Sequence, residues 1–160
     1  ITSRNEREWY LREKSKLLSQ IYGGLSLGRK IMIYIAYGAN LNKSAMRHRC
    51  PDATPIGSSK VKDYKLIFNN VASIVKSPGS HVEVGLWRIT KNCEKSLDRF
   101  EGFPSLYRKE FFDQGMVYIM NHDGKAVPNK NYFETIAQGY RDFNLDRSYL
   151  DKALEDAYDH

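Results

Sequence analysis

A single carboxylate, Glu101, stands where local forces oppose a negative charge. It follows a predicted short helix over residues 91–100 and lies four residues after Leu97, on the same apolar face. Gly102 and Pro104 are typical stop signals, so Glu101 falls in the last helical turn, where the helix dipole disfavours a negative charge by roughly 0.3–1 kcal/mol. Such a carboxyl should hold its proton more tightly than a free glutamate, which is how a general base near neutral pH is made.

The helix that carries Glu101 is indicated by its start and by its spacing. Thr90 is a favoured N-cap residue. Apolar residues then recur at helical intervals: Cys93, Leu97 and Phe100. A second interpretation of Glu101 stays open, in which it turns outward and pairs with Arg99 or Arg108, because ion pairs are common and catalytic groups are rare.

A second segment with chemical potential is Tyr37-Gly38-Ala39-Asn40-Leu41. It follows the continuous apolar run of residues 31–36, which predicts a buried strand that feeds a sharp loop. Gly38 has no side chain and Ala39 a minimal one, so an anionic group could approach the peptide N–H donors closely. Asn40 can brace the loop through its amide. The alternative is a tight turn that binds nothing.

Short strands and a few helices make up the rest of the chain. Period-two or continuous apolar patterns predict strands at residues 64–68, 71–75, 82–86, 107–112 and 116–120, with Ser77-Pro78-Gly79 as the turn before the third. Helices are predicted at residues 43–49 and after a capping box from Ser148 to Asp151. This mixture favours the α+β class, with a curled or barrel-like sheet.

Length and charge bound the function. With 160 residues the chain can form one domain with an appendage, and its net charge of +6 permits attraction to nucleic acid. Lysine and arginine are spread among aspartate and glutamate, however, and no recognised nucleic-acid motif occurs. No apolar run approaches the ~20 residues that cross a membrane. We therefore expect neither nucleic acid nor a membrane as a partner.

The sequence offers no standard metal or cofactor site. The four histidines lack metal-ligand spacing among themselves and with the two cysteines, Cys50 and Cys93. No phosphate loop or dinucleotide fingerprint occurs. We expect no metal and no cofactor, and the low cysteine content without a secretory signal favours a cytoplasmic location.

Residues 1–30 differ from the remainder in being polar and free of strand-like runs. A capping box from Ser3 to Glu6 and a thin apolar stripe predict an amphipathic helix that ends at Gly23-Gly24. The stripe consists of Tyr10, Leu17 and Ile21. We expect an N-terminal helical extension over residues 1–30, packed on its own domain or on a second subunit of a homodimer, and one main domain over residues 31–160.

Taken together, these segments resemble the gamma-glutamylcyclotransferase family, including its gamma-glutamylamine cyclotransferase-like members. The resemblance covers about residues 32–154. It rests mainly on the loop at residues 37–41 and on Leu97-Asp98-x-x-Glu101-Gly102, with weaker support from the following matches: Arg49-Cys50-Pro51, Tyr107, Val117-Tyr118 and Tyr132…Gly139…Leu145…Tyr149-Leu150.

The resemblance implies a small mixed β-barrel with flanking helices and a metal-independent enzyme of acyltransferase or amine lyase type. Such an enzyme cyclises a gamma-glutamyl amine or amino acid to 5-oxoproline and releases the free amine. In the family the glutamate of this motif is the general base, which implies that role for Glu101. It also implies substrate contacts by the loop and by pocket-lining tyrosines: Tyr37, Gly38, Ala39, Asn40, Leu41, Tyr107, Tyr118 and Tyr132.

The chain departs from the family pattern at two places. Ala39 stands where the family usually has serine, which preserves function if the loop works through its backbone N–H groups. If the serine hydroxyl contacts substrate in the family, alanine shifts affinity or specificity by ~1 kcal/mol. The extension before residue 31 is the second departure. An alternative function follows from the same resemblance, a catalytically idle member that binds a small acid or a peptide end in the same pocket.

Overall fold

The computed structural model describes residues 4–22 and 31–159, in two compact units, Ile1–Lys30 and Ile31–His160. The described part of the first unit is a helix, α1 (Arg4–Tyr22). Of its predicted apolar stripe, Tyr10 is partly buried and Leu17 is about half exposed. The predicted cap at Ser3 and the predicted stop at Gly23-Gly24 lie outside the described residues.

The second unit is built on a five-stranded sheet in the order β2-β3-β1-β5-β4. Its strands are β1 (Met32–Ala36), β2 (Thr54–Asn69), β3 (Val71–Ile89), β4 (Tyr107–Phe112) and β5 (Gly115–Met120). Strand β1 lies in the middle, antiparallel to β3 and parallel to β5. The central strands β1 and β5 are buried almost throughout, because they have neighbours on both sides.

The predicted α+β class is confirmed, and the sheet, predicted to be curled or barrel-like, does not close into a barrel. Strands β2 and β4 form its two ends, and no pairing joins them within the described residues. Helix α5 (Arg147–Tyr158) packs against β2. A helix therefore covers this end strand, which is one of the ways in which proteins protect an exposed sheet edge.

The predicted turn at Ser77-Pro78-Gly79 is wrong as a strand boundary. Strand β3 runs through it and pairs with β2 on both sides, from Tyr64 opposite Lys76 to Lys62 opposite His81. The extra residues form an irregularity opposite Asp63, whose side chain accepts a hydrogen bond from the Gly79 N–H at 3.0 Å. Residues typical of a turn are present at this point, but the paired strand continues beyond them in the same hairpin.

Three further helices complete the unit: α2 (Lys43–Arg49), α3 (Lys91–Glu101) and α4 (Lys130–Asp142). The predicted helix at residues 43–49 is confirmed. The predicted cap of the last helix is wrong, since Asp146 caps α5 by accepting from the Ser148 N–H at 2.9 Å. Helix α4 was not predicted, although its apolar residues recur at helical spacing and Asn129 caps it.

Helix α4 packs closely on the loop that follows β1. Replacement of Gly139 by alanine would place a Cβ atom 2.4 Å from the Leu41 Cβ and 2.6 Å from the Leu41 carbonyl carbon. Only a glycine allows the helix to approach this backbone so closely. The packing of α4 therefore fixes the position of the loop.

Within the described ranges, no helix is long and apolar enough to cross a membrane. Cys50 and Cys93 are buried and do not form a disulfide. The Cys50 thiol lies 3.5 Å from the Cys93 carbonyl oxygen. Both cysteines thus serve the core between α2 and α3 as small apolar groups.

Candidate active site

One cavity of about 100 Å³ lies where the end of β1, the start of β3 and the ends of α3 and α4 meet β4 and β5. Its wall contains eight of the nine residues that the sequence singled out: Tyr37, Gly38, Ala39, Asn40, Glu101, Tyr107, Tyr118 and Tyr132. These residues are far apart in the sequence. The fold therefore brings the loop, the glutamate and the tyrosines to one place.

Leu41 is the predicted residue that does not line the cavity. Its side chain is fully buried and packs beneath the loop, against Gly85 and Gly139. Its N–H donates to the Gly38 carbonyl at 3.0 Å and closes a single 3₁₀ turn over Ala39–Leu41. Leu41 thus anchors the loop from the core side.

Glu101 is the last residue of α3, at the position that its spacing predicted. Thr90 caps the start of the helix by accepting from the Cys93 N–H at 3.2 Å, and Gly102 ends it in the left-handed conformation. Leu97 is fully buried one turn earlier, so the glutamate side chain is carried toward the interior. Phe100, predicted on the same apolar face, is instead 47% exposed.

The carboxyl of Glu101 has few polar neighbours. Its Oε1 accepts from the Asn40 Nδ2 at 3.4 Å, near the long limit for a hydrogen bond. Burial raises its pKa from 4.5 to about 7, and the positive charge of Arg49 opposes the rise. The effect of burial is larger, because removing a carboxylate from water costs more free energy than one partly solvated cation returns.

The outward ion pair considered for Glu101 does not form among the described residues. Arg108 pairs with Glu110 at 3.0 Å, and Arg99 donates to the Ser96 hydroxyl at 3.4 Å. The carboxyl of Glu101 is therefore directed toward the cavity.

Asn40 organises the polar end of this cavity. Its Nδ2 group donates to the Tyr34 hydroxyl at 2.9 Å and to Glu101, while its Oδ1 accepts from Arg49 Nη1 at 2.7 Å. Its backbone carbonyl accepts from the Trp87 indole at 3.0 Å. A reversed amide would set an N–H group against the arginine donor, so these partners fix the orientation of the side chain.

The loop presents free hydrogen-bond donors at its start. The N–H groups of Leu41 and Asn42 bond back to Gly38 and Ala39 within the 3₁₀ turn. The N–H groups of Gly38, Ala39 and Asn40 have no acceptor within the part of the chain that the structure describes. Neighbouring backbone donors without acceptors are typical of a site for an anionic oxygen.

The tyrosine hydroxyls are already engaged with the protein. Tyr107 donates to the Ala72 carbonyl at 2.6 Å, and the Tyr132 hydroxyl accepts from the Ala72 N–H at 2.9 Å. Tyr37 donates to the carbonyl of Tyr118 at 2.6 Å. The Tyr118 hydroxyl in turn donates to an aspartate, Asp98, at 2.6 Å. The cavity wall therefore consists largely of aromatic ring surface.

Burial also removes the tyrosines as candidate bases. It raises the pKa of Tyr132 to about 12 and that of Tyr107 above its ordinary value of 10. Both hydroxyls are thus protonated at neutral pH, whereas Glu101 titrates near 7. Glu101 can therefore exchange a proton near neutral pH, whereas the tyrosine hydroxyls of the cavity wall stay neutral.

Sequence reasoning missed two residues of the polar network, Arg49 and Tyr34. Arg49 was noticed only as part of Arg49-Cys50-Pro51, and its guanidinium lies 3.7 Å from the centre of the Phe100 ring as well as on Asn40. Tyr34 looked like an ordinary member of a buried strand. Its hydroxyl was the available signal, because a buried tyrosine hydroxyl usually has a polar partner.

Replacement of Asn40 by alanine should weaken both the fold and the site. The change leaves the buried Tyr34 hydroxyl and the Arg49 guanidinium without their partner, which costs about 1–3 kcal/mol of unfolding free energy. Urea unfolding measures this loss. Asn92→Ala provides the control, because Asn92 is an exposed residue of the same helix as Glu101. Equal stability of the two variants would contradict the network described here.

Comparison with known proteins agrees with this geometry. The family described as "Gamma-glutamyl cyclotransferase, AIG2-like" matches residues 34–140, from β1 to α4. The mouse protein named gamma-glutamylcyclotransferase is 29% identical over 75% of this chain and 76% of its own length. The human protein of the same name is 28% identical over the same shares.

Solved structures give the same relationship. A structure titled gamma-glutamyl cyclotransferase superimposes with a TM-score of 0.67 and 26% sequence identity, over 78% of this chain and 86% of that one. YkqA from Bacillus subtilis has a TM-score of 0.66 at 21% identity, which shows a shared fold. The family match covers more than half of the chain and includes the loop and Glu101, so the resemblance seen in the sequence is confirmed and the chain belongs to the gamma-glutamyl cyclotransferase, AIG2-like family.

Proposed function

We propose that this protein is a cyclotransferase that converts a gamma-glutamyl amine or gamma-glutamyl amino acid to 5-oxoproline and the free amine. The observation that carries the proposal is the position of Glu101, a carboxyl whose pKa is raised to about 7 in the cavity that Gly38, Ala39 and Asn40 also line. The names of the relatives support the reaction class.

In the proposed mechanism Glu101 is the general base. Its carboxylate takes one proton from the α-ammonium group of the substrate, and the freed amine attacks the γ-carbonyl carbon of the same molecule. A carbon–nitrogen bond forms in the five-membered ring, and the bond to the leaving nitrogen breaks. The α-nitrogen loses two protons in total, and the leaving amine gains two to depart as an ammonium ion. Glu101 carries these protons in turn.

The loop has the second proposed role. The attack places negative charge on the γ-carbonyl oxygen, and the free N–H groups of Gly38, Ala39 and Asn40 are suitable donors for that charge or for the α-carboxylate. Ala39 retains the same backbone N–H as a serine would have. The replacement of the usual serine is thus compatible with this role.

A small cavity suits an intramolecular reaction. The enzyme need only hold the substrate bent, so that the α-nitrogen approaches the γ-carbon, and the tyrosine ring faces form rigid walls for this purpose. Their hydroxyls are fixed by Ala72, Tyr118 and Asp98, so the walls do not rotate freely. The proposal therefore requires positioning and one proton-transfer group.

The proposal is tested by mixing the protein with gamma-glutamyl amino acids and gamma-glutamyl amines and measuring the release of 5-oxoproline. Release from at least one compound supports a cyclotransferase. Saturable binding of the same compounds without any product would support the idle binding protein instead. The retained carboxyl of Glu101 is the feature that favours the enzyme.

Activity and stability should respond to pH in opposite directions between about pH 4.5 and 7. Because the pKa of Glu101 is raised to about 7, the base form is scarce below it, and kcat/KM should fall about tenfold for each pH unit below that value. The native state binds a proton that the unfolded state releases in this range. Stability from Glu101 is therefore present at low pH and lost as pH rises through 7.

A pH profile of kcat/KM and a thermal-unfolding series at the same pH values measure both effects. The unfolding series is compared with Glu101→Gln, in which this contribution to the pH dependence should disappear. A kcat/KM profile that is flat from pH 5 to 8 would contradict the assignment of Glu101 as the base.

A further inference from the structure

The open end of the candidate cavity is apolar. Phe100 and Leu106 line it there, and their exposed fractions are 47% and 42%. At the other end Tyr34, Asn40 and Tyr118 are buried, with exposed fractions of 4% or less. The cavity thus has a buried polar end and an open end. We call the open end, which is bordered by Phe100 and Leu106, the rim.

Few charged side chains line the cavity. Among the described residues that line the cavity, Glu101 is the one ionisable residue other than the tyrosines. Arg49 reaches the Phe100 ring, but its guanidinium is bonded to Asn40 and does not line the cavity. A negatively charged group placed at the rim would therefore lose water without gaining a positive charge in the cavity wall.

The hydroxyls of Tyr107 and Tyr132 are both bonded to the backbone of Ala72. The Tyr107 hydroxyl donates to the Ala72 carbonyl, and the Tyr132 hydroxyl accepts from the Ala72 N–H. Val71, which precedes Ala72 in the chain, also lines the cavity. The surface that continues from the rim is therefore mainly aromatic and aliphatic.

The proposed reaction fixes which part of a substrate meets this surface. The α-nitrogen must reach Glu101, and the carboxylate and carbonyl oxygens must reach the donors of the loop at the buried end. The leaving group is attached on the other side of the γ-carbonyl and extends toward the open end. We infer that the preferred leaving amine carries an apolar side chain, which packs on Phe100 and Leu106. This inference rests on the proposed function.

The test compares three substrates that differ in the side chain of the leaving amino acid: gamma-glutamyl-leucine, gamma-glutamyl-aspartate and gamma-glutamyl-glycine. Leucine and aspartate have nearly the same shape but differ in charge, and glycine has no side chain. The expected kcat/KM for the leucine compound is about tenfold or more above that for the aspartate compound. Equal values, or a preference for aspartate, would overturn the inference.

Leu106→Ala tests the rim directly. It should lower the ratio of kcat/KM for gamma-glutamyl-leucine to kcat/KM for gamma-glutamyl-glycine about fivefold, because the glycine compound has no side chain to pack there. The Leu106 backbone is held by bonds to Gly102 and Asn121 at 2.8 and 2.9 Å, so the loop should keep its position. An equal loss for both substrates would overturn the packing role.

Phe111→Ala is the matched control. Phe111 is a large apolar residue of β4, 71% exposed and outside the cavity wall, and its removal should leave the substrate preference unchanged. Failure of the two proposals is distinguishable. Release of 5-oxoproline from all three substrates at equal rates overturns only the apolar preference, whereas absence of 5-oxoproline from every substrate overturns the proposed reaction together with it.

Discussion

Replacement of Glu101 by glutamine should reduce turnover by about 10²–10⁴-fold while substrate binding is retained, because the amide keeps the shape of the side chain but cannot accept a proton. Removal of a buried carboxyl whose charged form is disfavoured should leave the fold intact at pH 8. The rate of 5-oxoproline formation and the dissociation constant from calorimetry measure the two quantities separately.

The control for this variant is Glu110→Gln. Glu110 lies on β4, pairs with Arg108 at the surface and does not line the cavity, so its loss should change activity little. Turnover by Glu101→Gln at the wild-type rate would show that another group acts as the base. Loss of binding together with turnover would indicate that Glu101 holds the substrate.

Replacement of Gly139 by alanine should destabilise the protein and displace the loop of residues 38–41. Helix propensity alone predicts a gain of about 1 kcal/mol for alanine inside a helix. The new Cβ, however, would lie 2.6 Å from the carbonyl carbon of Leu41 and 2.7 Å from the nitrogen of Asn42, which are backbone atoms that cannot rotate away. Overpacking costs about 1–3 kcal/mol, so the steric effect should prevail.

Denaturant unfolding measures the stability of Gly139→Ala, and kcat/KM reports the displacement of the loop. Gly57→Ala is the control, since among the described residues none beyond the two chain neighbours has an atom within 4 Å of a Cβ built at Gly57 in β2. We expect that variant to differ from the wild type by less than about 0.5 kcal/mol. Increased stability of Gly139→Ala with normal kcat/KM would mean that α4 does not fix the loop.

The region around Glu101 could be predicted from the sequence because its determinants are local. Thr90 caps α3, Gly102 ends it, and the four-residue spacing from Leu97 decides the direction of the carboxyl. Burial then follows from that direction, and the raised pKa follows from burial. Each step needs only neighbours within one or two helical turns.

The errors arise where distant residues decide. Ser77-Pro78-Gly79 carries local turn signals, but pairing with β2 on both sides continues β3 through it. Ser148 satisfies a local capping pattern, and Asp146 two residues earlier provides the observed cap. Phe100 has helical spacing with Leu97, yet it lies beside the guanidinium of Arg49 at the surface.

The polar network could not be predicted for the same reason. Asn40 and Glu101 are 61 positions apart, and nothing in either segment indicates that the amide of one reaches the carboxyl of the other. The shared partner of Tyr107 and Tyr132 is a backbone group of Ala72, which carries no sequence signal of its own. Family resemblance indicated the members of the site, and tertiary structure gave their connections.

The measurement that tests the central claim most directly is the identification of the product formed from one gamma-glutamyl amine by the wild-type protein in ¹⁸O-labelled water. Intramolecular attack by the α-amine predicts 5-oxoproline and free amine in equal amounts, with no ¹⁸O in the 5-oxoproline. Glutamate that contains ¹⁸O would show that water attacks the γ-carbonyl, and it would contradict the proposed cyclisation with Glu101 as the base of the α-amine.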